Sequence, residues 1–308
     1  MFSLKFAQHQ PVLSLLLAAV LWGLLWWPLQ YFNAHGINGL WTSIISYSVA
    51  LLPGLWLIRK QWSIFRLYPI ALFFIALSSG LCNVSFIVAV AEKDAARIVL
   101  LFYLSPVWAI LLGILFLGER PSLLAIVVAI LALSGAVMML YNPYQGTLWP
   151  RDIYDLLAIF SGFMFAVTNL LIRGLSSAPV AAKTFASWLG VILVAVIWLL
   201  ITHWSSSRLI SFPDISLGLW LGLLALGLLG VTSMTLAVQY GVSRLPLFKS
   251  SIILVFEVVI TIVSSLWLTS EQLLHLAPYG ALCIVLAAVL AGWTSDSSEI
   301  VSSDETVR

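Results

Sequence analysis

The chain has 308 residues, of which 62% are hydrophobic and 8% are charged, with a formal net charge of +2 and a mean hydropathy of +1.10. Soluble globular proteins carry roughly 45–50% apolar and about 25% charged residues, so this composition excludes a water-soluble fold. The small net charge also excludes a basic surface for nucleic acid. We therefore expect an all-α polytopic membrane protein, because a bilayer accepts apolar surface that a soluble fold would have to bury.

Ten apolar segments are long enough to cross a membrane, since about 20 apolar residues in a helix span a hydrocarbon core of about 30 Å. The predicted spans are 11–34, 38–58, 67–91, 95–118, 121–141, 152–173, 179–202, 214–241, 245–269 and 273–293. The first segment is too long for a cleavable signal peptide and lacks a small-residue cleavage site. We expect it to remain as a permanent span.

The positions of Lys and Arg predict the orientation of these spans. With the N-terminus inside, the outer segments hold four of the 14 basic residues, namely Lys93, Arg97, Arg151 and Arg208, and the inner segments hold the rest. We expect a multi-pass protein of a bacterial inner membrane with both termini in the cytoplasm. Residues 1–10 are then a cytoplasmic N-terminal tail. Residues 294–308, rich in Ser, Asp and Glu, are predicted to be a disordered cytoplasmic tail.

The two halves of the chain show a faint repeat. A shift of 152 residues lays Arg97 on Lys249 and Glu119 on Glu271, and matched aromatic and small residues follow in the next helix. A shift of 139 residues pairs the earlier helices in the same order. The matched basic residues and the matched helix order both favour an internal duplication.

The predicted organisation is a five-helix repeat at 11–141, a connecting loop at 142–151 and a second five-helix repeat at 152–293. Because five is an odd number, the second repeat must sit inverted in the membrane. Inverted repeats are a recurrent plan of transporters, in which the substrate site lies near the midplane at the repeat interface. We therefore expect a central cavity between the halves.

One segment resembles a known family. Residues 100–108 read LLFYLSPVW, residues 117–120 read LGER and residues 134–136 read SGA. This series resembles the fourth and fifth helices of the drug/metabolite transporter superfamily, EamA-type branch, and Leu21-Trp22-Gly23 resembles the opening of that family. In the second half, Val258 stands where the family usually has proline. The resemblance implies ten helices in two inverted repeats, a central cavity, and movement of amino acids or related metabolites.

Glu257 is the most distinctive candidate residue, because it lies about halfway along a predicted span. An acid at that depth is costly and normally faces the bundle interior or a water-filled path. Loss of hydration favours the protonated carboxyl group, so we expect Glu257 to couple transport to protons. A structural role, accepting hydrogen bonds from a neighbouring helix, is the alternative.

Several other residues are expected at a substrate site. Pro28 and Pro106 should each kink a span, since proline removes a helical hydrogen bond. Arg97 and Lys249 either extend to their own membrane faces or attract a carboxylate of the substrate. Aromatic, amide and hydroxyl side chains complete the predicted lining: Trp22, Trp26, Gln30, Asn83, Phe86, Ser105, Trp108, Phe165, Asn169, Gln239 and Phe256. Such a lining suits an amphipathic organic solute.

Two function classes remain open from the sequence. The first is a secondary transporter that moves amino acids or related amphipathic solutes by alternating access, with protons as the coupling ion. The alternative is an intramembrane enzyme acting on lipid or peptide, which would need a nucleophile–base pair or a metal cluster. Asp152 and Asp155 are interpreted as helix-capping acids and not as metal ligands. We expect no catalytic residue, metal or cofactor, and as partners a small-molecule substrate, membrane lipids and protons, in a monomer or weak dimer.

Overall fold

The computed structural model describes residues 2–93, 95–141, 149–206, 212–268 and 276–293. Most of the predicted connecting loop and the predicted tail 294–308 lie outside these ranges, as does Glu271. Within them the backbone forms helices and no strands. The predicted all-α class therefore holds for the part of the chain that is described.

The helices follow one another in an order that matches the predicted spans. They are α1 (Phe2–Gly23), α2 (Trp26–Ala34), α3 (Gly39–Ile58), α4 (Ser63–Leu67), α5 (Pro69–Glu92), α6 (Ala95–Phe102), α7 (Ser105–Leu117), α8 (Leu123–Leu140), α9 (Ile153–Gly174), α10 (Val180–Ser206), α11 (Leu217–Ala225), a π-helical segment (Leu226–Val231), α12 (Thr232–Val242), α13 (Leu247–Leu254), α14 (Phe256–Leu268) and α15 (Ala277–Trp293). Helix α1 begins at Phe2, within the segment that was predicted to be a tail.

Nine helical segments in the described ranges are long and apolar enough to cross a membrane. They are Gln10–Ala34, Gly39–Ile58, Pro69–Glu92, Arg97–Leu117, Leu123–Leu140, Ile153–Gly174, Val180–Trp204, Leu217–Val242 and Leu247–Leu268. The tenth predicted span corresponds to α15, whose apolar part, Ala277–Gly292, is shorter. A multi-pass membrane protein is supported, whereas the count of ten spans and the inverted repeat stay predictions.

Two spans of the first half are interrupted, each just before a proline. The first span breaks between α1 and α2, before Pro28, and the fourth breaks between α6 and α7, before Pro106. Proline lacks the N–H that would bond the carbonyl four residues earlier, which is Leu24 in the first span and Phe102 in the fourth. The Phe102 carbonyl instead lies against Gly162 of α9, where a Cβ atom would overlap it.

Two spans of the second half are interrupted without any proline. The π-helical segment separates α11 from α12, and Gly227 within it packs closely against the backbone of α3. The other break is at Val255, between α13 and α14, where the amide of Val258 bonds the Val255 carbonyl at 3.0 Å in a tightened turn. Position 255 lies 152 residues after Tyr103, which stands in the break of the fourth span.

Close helix crossings hold the bundle together. Helix α5 packs along both α9 and α10, and α8 packs along α15. Gly190 of α10 lies against the backbone carbonyl of Ala76 in α5, and Gly135 of α8 lies against that of Gly280 in α15. Small residues at such crossings let helix backbones approach, which is the usual source of association between helices in lipid.

Candidate functional site

Glu257 lies in the first turn of α14, and its carboxyl group interacts electrostatically with the nearby hydroxyl of Tyr103. Glu257 was predicted halfway along one continuous helix, but the break at Val255 places it at the start of a separate helix. A helix N-terminus favours negative charge, so the fold offsets part of the cost of an acid at this depth. Tyr103 is itself in the break between α6 and α7, so the two interrupted spans meet where these two side chains interact.

A chain of aromatic rings leads to Tyr103. Trp22 and Phe165 have ring centroids 5.6 Å apart, Phe165 and Phe102 are 5.5 Å apart, and Phe102 lies 5.3 Å from Phe86 and 5.6 Å from Tyr103. These five residues, from α1, α5, α9 and the end of α6, form what we call the aromatic cluster. The structure thus brings together the predicted residues Trp22, Phe86 and Phe165. It adds Phe102 and Tyr103, which lie in the LLFYLSPVW segment but were not singled out.

The first span closes against α14 beside this cluster. The indole N–H of Trp26 donates to the hydroxyl of Ser264 in α14 at 2.9 Å. Gly23 lies against the same helix, where a Cβ atom would stand 2.8 Å from the carbonyl oxygen of Glu257. Phe256, next to Glu257, is partly buried. The predicted residue Trp26 therefore contacts Glu257's helix, whereas the ring of Trp22 lies against Phe165 of α9.

Four predicted site residues each carry a buried polar atom that has no hydrogen-bond partner in the described part of the chain. The atoms are Asn83 Oδ1, Trp108 Nε1, Asn169 Nδ2 and Gln239 Oε1. Buried polar groups are nearly always paired with protein or ordered water. These atoms are therefore available to bind a solute or water. Asn169 lies one turn from Phe165 on α9, which places it near the aromatic cluster.

Other predicted residues are not joined to the cluster by hydrogen bonds or ring contacts in the described ranges. Trp108 packs on Phe163, 5.5 Å between centroids, and the Gln239 amide donates to Ser187 at 3.0 Å. Gln30 is exposed in the middle of α2. Ser105 is buried in the first turn of α7, beside the break that contains Tyr103.

Arg97 is engaged by Asp155 of α9. Its Nε donates to both carboxylate oxygens, at 2.9 and 3.1 Å, and its terminal nitrogen lies 2.6 Å from Oδ2 and 2.9 Å from the Trp149 carbonyl. The two side chains are 14% and 2% exposed. Asp155 was interpreted from the sequence as a capping acid; its main partner is instead this guanidinium, 58 residues away. A substrate carboxylate at Arg97 would have to compete with Asp155.

A second ion pair lies beside the first. The ammonium group of Lys93 stands 2.6 Å from Asp152, whose other oxygen accepts from the backbone N–H groups of Tyr154 and Asp155 and so caps α9. The hydrogen bond from Lys93 holds the pKa of Asp152 below its ordinary value, and Asp152 in turn raises the pKa of Lys93. The two pairs tie the α5–α6 connection and the first turn of α6 to the start of α9.

Lys249 is buried in the first turn of α13, with 5% of its surface exposed, and has an interaction partner within the protein. No group of three or more His, Cys, Asp or Glu side chains that could hold a metal ion occurs among the residues with a described position.

Comparison with known proteins gives the following. Residues 10–141 match the model of the EamA-like transporter family, so the resemblance noted in the sequence is confirmed. A solved structure described only as "Crystal structure of protein" superposes with a TM-score of 0.73 at 16% identity, covering 91% of this chain and 95% of that chain. At this identity the likeness shows the fold alone. A search of curated proteins finds no match. These residues, which contain helices α2 to α8 and most of α1, make up less than half of the chain and are similar to the EamA-like transporter family of the drug/metabolite transporter superfamily.

Proposed function

We propose that the protein is a secondary transporter that moves amino acids or related amphipathic organic solutes by alternating access, with protons as the coupling ion. The family match indicates a membrane transporter. The observation that carries the finer proposal is the proximity of Glu257 and Tyr103 where two interrupted spans meet, at the end of the aromatic cluster.

The chemistry of this site suits a solute that carries an amino group beside an apolar or aromatic part. The carboxylate of Glu257 attracts a cation, and aromatic faces bind ammonium groups by about 0.5–2 kcal/mol according to their hydration. The rings also offer apolar surface for the rest of the solute. A proton and an ammonium group compete for the same carboxyl group, and this competition couples the movement of one to the movement of the other.

Interrupted helices also supply a means of changing the side of the membrane from which the site is accessible. Breaks at element ends absorb the backbone rotations of hinge motion, and the breaks near Tyr103 and at Val255 flank the proposed site. Their separation of 152 residues agrees with the shift that relates the two halves of the sequence, which supports ten spans in two inverted repeats. We further propose a bacterial inner-membrane location with both termini in the cytoplasm.

Glu257→Gln tests the proposal, because Gln keeps the shape and hydrogen bonding of the side chain but cannot exchange a proton. Purified protein in proteoliposomes, under an imposed pH gradient, is offered amino acids and related amines. Wild type should accumulate a solute against its concentration gradient, and the variant should only equilibrate it. Glu92→Gln, which removes an exposed acid at the end of α5, is the matched control and should accumulate like wild type. Gradient-driven accumulation at wild-type level in Glu257→Gln would exclude proton coupling through this residue.

A further inference from the structure

A pocket of about 340 Å³ opens at the end of the bundle that the Lys and Arg distribution predicts to face the cytoplasm. It lies between the α9–α10 connection and the end of α12. Its lining residues are Ser176, Ser177, Ala178, Pro179, Val180, Lys183, Ser243 and Arg244. None of them belongs to the aromatic cluster or touches Glu257, so the pocket is separate from the proposed transport site.

Lys183 forms the buried wall of this pocket, with none of its surface exposed. Its ammonium group donates to the carbonyl oxygens of Ile172 and Leu175 at 3.1 Å each, and to the hydroxyl of Ser243 at 2.7 Å. Three acceptors match the three N–H groups of a lysine. None of these three is a carboxylate, so the positive charge is held in place but not neutralised by its partners.

Two further cations stand near Lys183. The guanidinium groups of Arg244 and Arg173 both act on it electrostatically. The carboxylate that reaches this group is Glu119, 4.0 Å from Arg173, and its oxygens also accept the backbone N–H of Leu247 at 2.8 and 3.0 Å. Glu119 is thus seen beside Arg173, and Lys183 and Arg244 add positive charge at the pocket.

Arg244 presents this charge to the pocket opening. Its guanidinium lies 3.6 Å from the ring centroid of Tyr240 and donates one hydrogen bond to the Tyr240 carbonyl at 3.1 Å, while the side chain is exposed. A guanidinium has five N–H donors in a fork that matches phosphate oxygens. The opposite wall is the start of α10 at Val180, and helix N-termini add partial positive charge and backbone N–H donors.

We propose that this pocket binds a phosphate-bearing anion, supplied either by the headgroup of an anionic lipid in the adjoining leaflet or by phosphate in solution. Basic pockets between membrane helices on the cytoplasmic side are suited to such headgroups. The Ser176 hydroxyl on the rim adds a donor for a further phosphate oxygen.

Binding is measured on the purified full-length protein in a neutral detergent, by the shift of its unfolding temperature with increasing probe. Three probes are compared: inorganic phosphate, phosphatidylglycerol and a neutral glycolipid without phosphate. Arg244→Gln should weaken binding of the effective probe about tenfold, the loss expected for one hydrogen bond to a charged group. Lys60→Gln, which removes an exposed cation in the α3–α4 connection, makes the same change in net charge and should bind like wild type.

The probes also separate the two sources of the anion. Stabilisation by phosphatidylglycerol alone identifies a lipid headgroup, and stabilisation by inorganic phosphate identifies the anion in solution. The proposal is wrong if neither probe stabilises wild type more than the glycolipid does. It is equally wrong if Arg244→Gln and Lys60→Gln lose the same affinity, because the effect would then be net charge alone. The shift of the unfolding temperature does not depend on transport. It therefore tests this pocket independently of the result obtained with Glu257→Gln.

Discussion

Loss of the Arg97–Asp155 ion pair should destabilise the protein strongly, because either partner alone leaves a poorly hydrated group behind. The pair is bidentate, with contacts of 2.6 to 3.1 Å, and the Asp155 side chain is only 2% exposed. Removing one partner of a buried pair costs about 3–5 kcal/mol. The pair lies near the end of its helices, so we take the lower limit. Asp155→Asn should therefore reduce the free energy of unfolding by about 3 kcal/mol.

A double-mutant cycle measures this interaction directly. The free energy of unfolding is obtained from titration of detergent-solubilised protein with SDS for wild type, Asp155→Asn, Arg97→Gln and the double variant. The second replacement acts on a pair that the first has already broken. The two single losses of unfolding free energy should therefore sum to about 2 kcal/mol more than the loss in the double variant. Lys93→Gln, which opens the neighbouring exposed pair, should have a much smaller effect. Additive losses within about 0.5 kcal/mol would refute the reasoning.

The same variants decide the role of Arg97 in transport. If Arg97 also attracts a substrate carboxylate, Asp155→Asn should strengthen binding of an anionic solute by removing its competitor, and Arg97→Gln should weaken it. Unchanged solute binding in both variants would assign Arg97 to the structural ion pair alone.

Two further predictions follow from the helix packing and the charge distribution. Gly190→Ala should lower the unfolding temperature measured in detergent, since its Cβ would overlap the backbone of α5. Gly218→Ala is the control and should leave the unfolding temperature unchanged, because its Cβ meets no heavy atom within 4 Å. Equal unfolding temperatures of the two variants would contradict the close crossing. A reporter that is active only in the cytoplasm should give a strong signal when it is fused after Arg308, because Lys and Arg concentrate on that side. Activity of a periplasmic reporter at the same position would reverse the predicted orientation and remove the support for an inverted repeat.

Apolar length predicts the spans well, because the bilayer sets how many apolar residues a helix needs. The predicted span 38–58 and the observed helix Gly39–Ile58 differ by one residue, and the predicted span 67–91 corresponds to Pro69–Glu92. The break before Pro106 could be anticipated since proline removes a backbone donor. The break at Val255 could not, because a valine leaves the helical hydrogen bonds chemically possible and only the surrounding packing interrupts them.

The candidate site is predicted less completely than the spans. Glu257 stands out in any sequence reading, because ionisable residues are rare inside apolar runs. Its neighbour Tyr103 does not, since a tyrosine in an apolar run looks like ordinary packing until a distant helix is brought beside it. The same holds for Arg97 and Asp155, which pair across 58 residues of chain. Such contacts depend on helix rotation and crossing, which hydropathy does not encode.

The break at Val255 has a consequence for how the site responds to genetic change. The first turn of any helix leaves backbone N–H groups without helical acceptors, and in α14 this turn carries Glu257. Donors of this kind belong to the main chain, so every side-chain replacement other than proline leaves them in place. Alanine scanning therefore does not detect these donors, and only replacement of a backbone amide by an ester would measure their contribution. Side chains around Glu257 can be exchanged to favour other solutes while a constant set of main-chain dipoles remains.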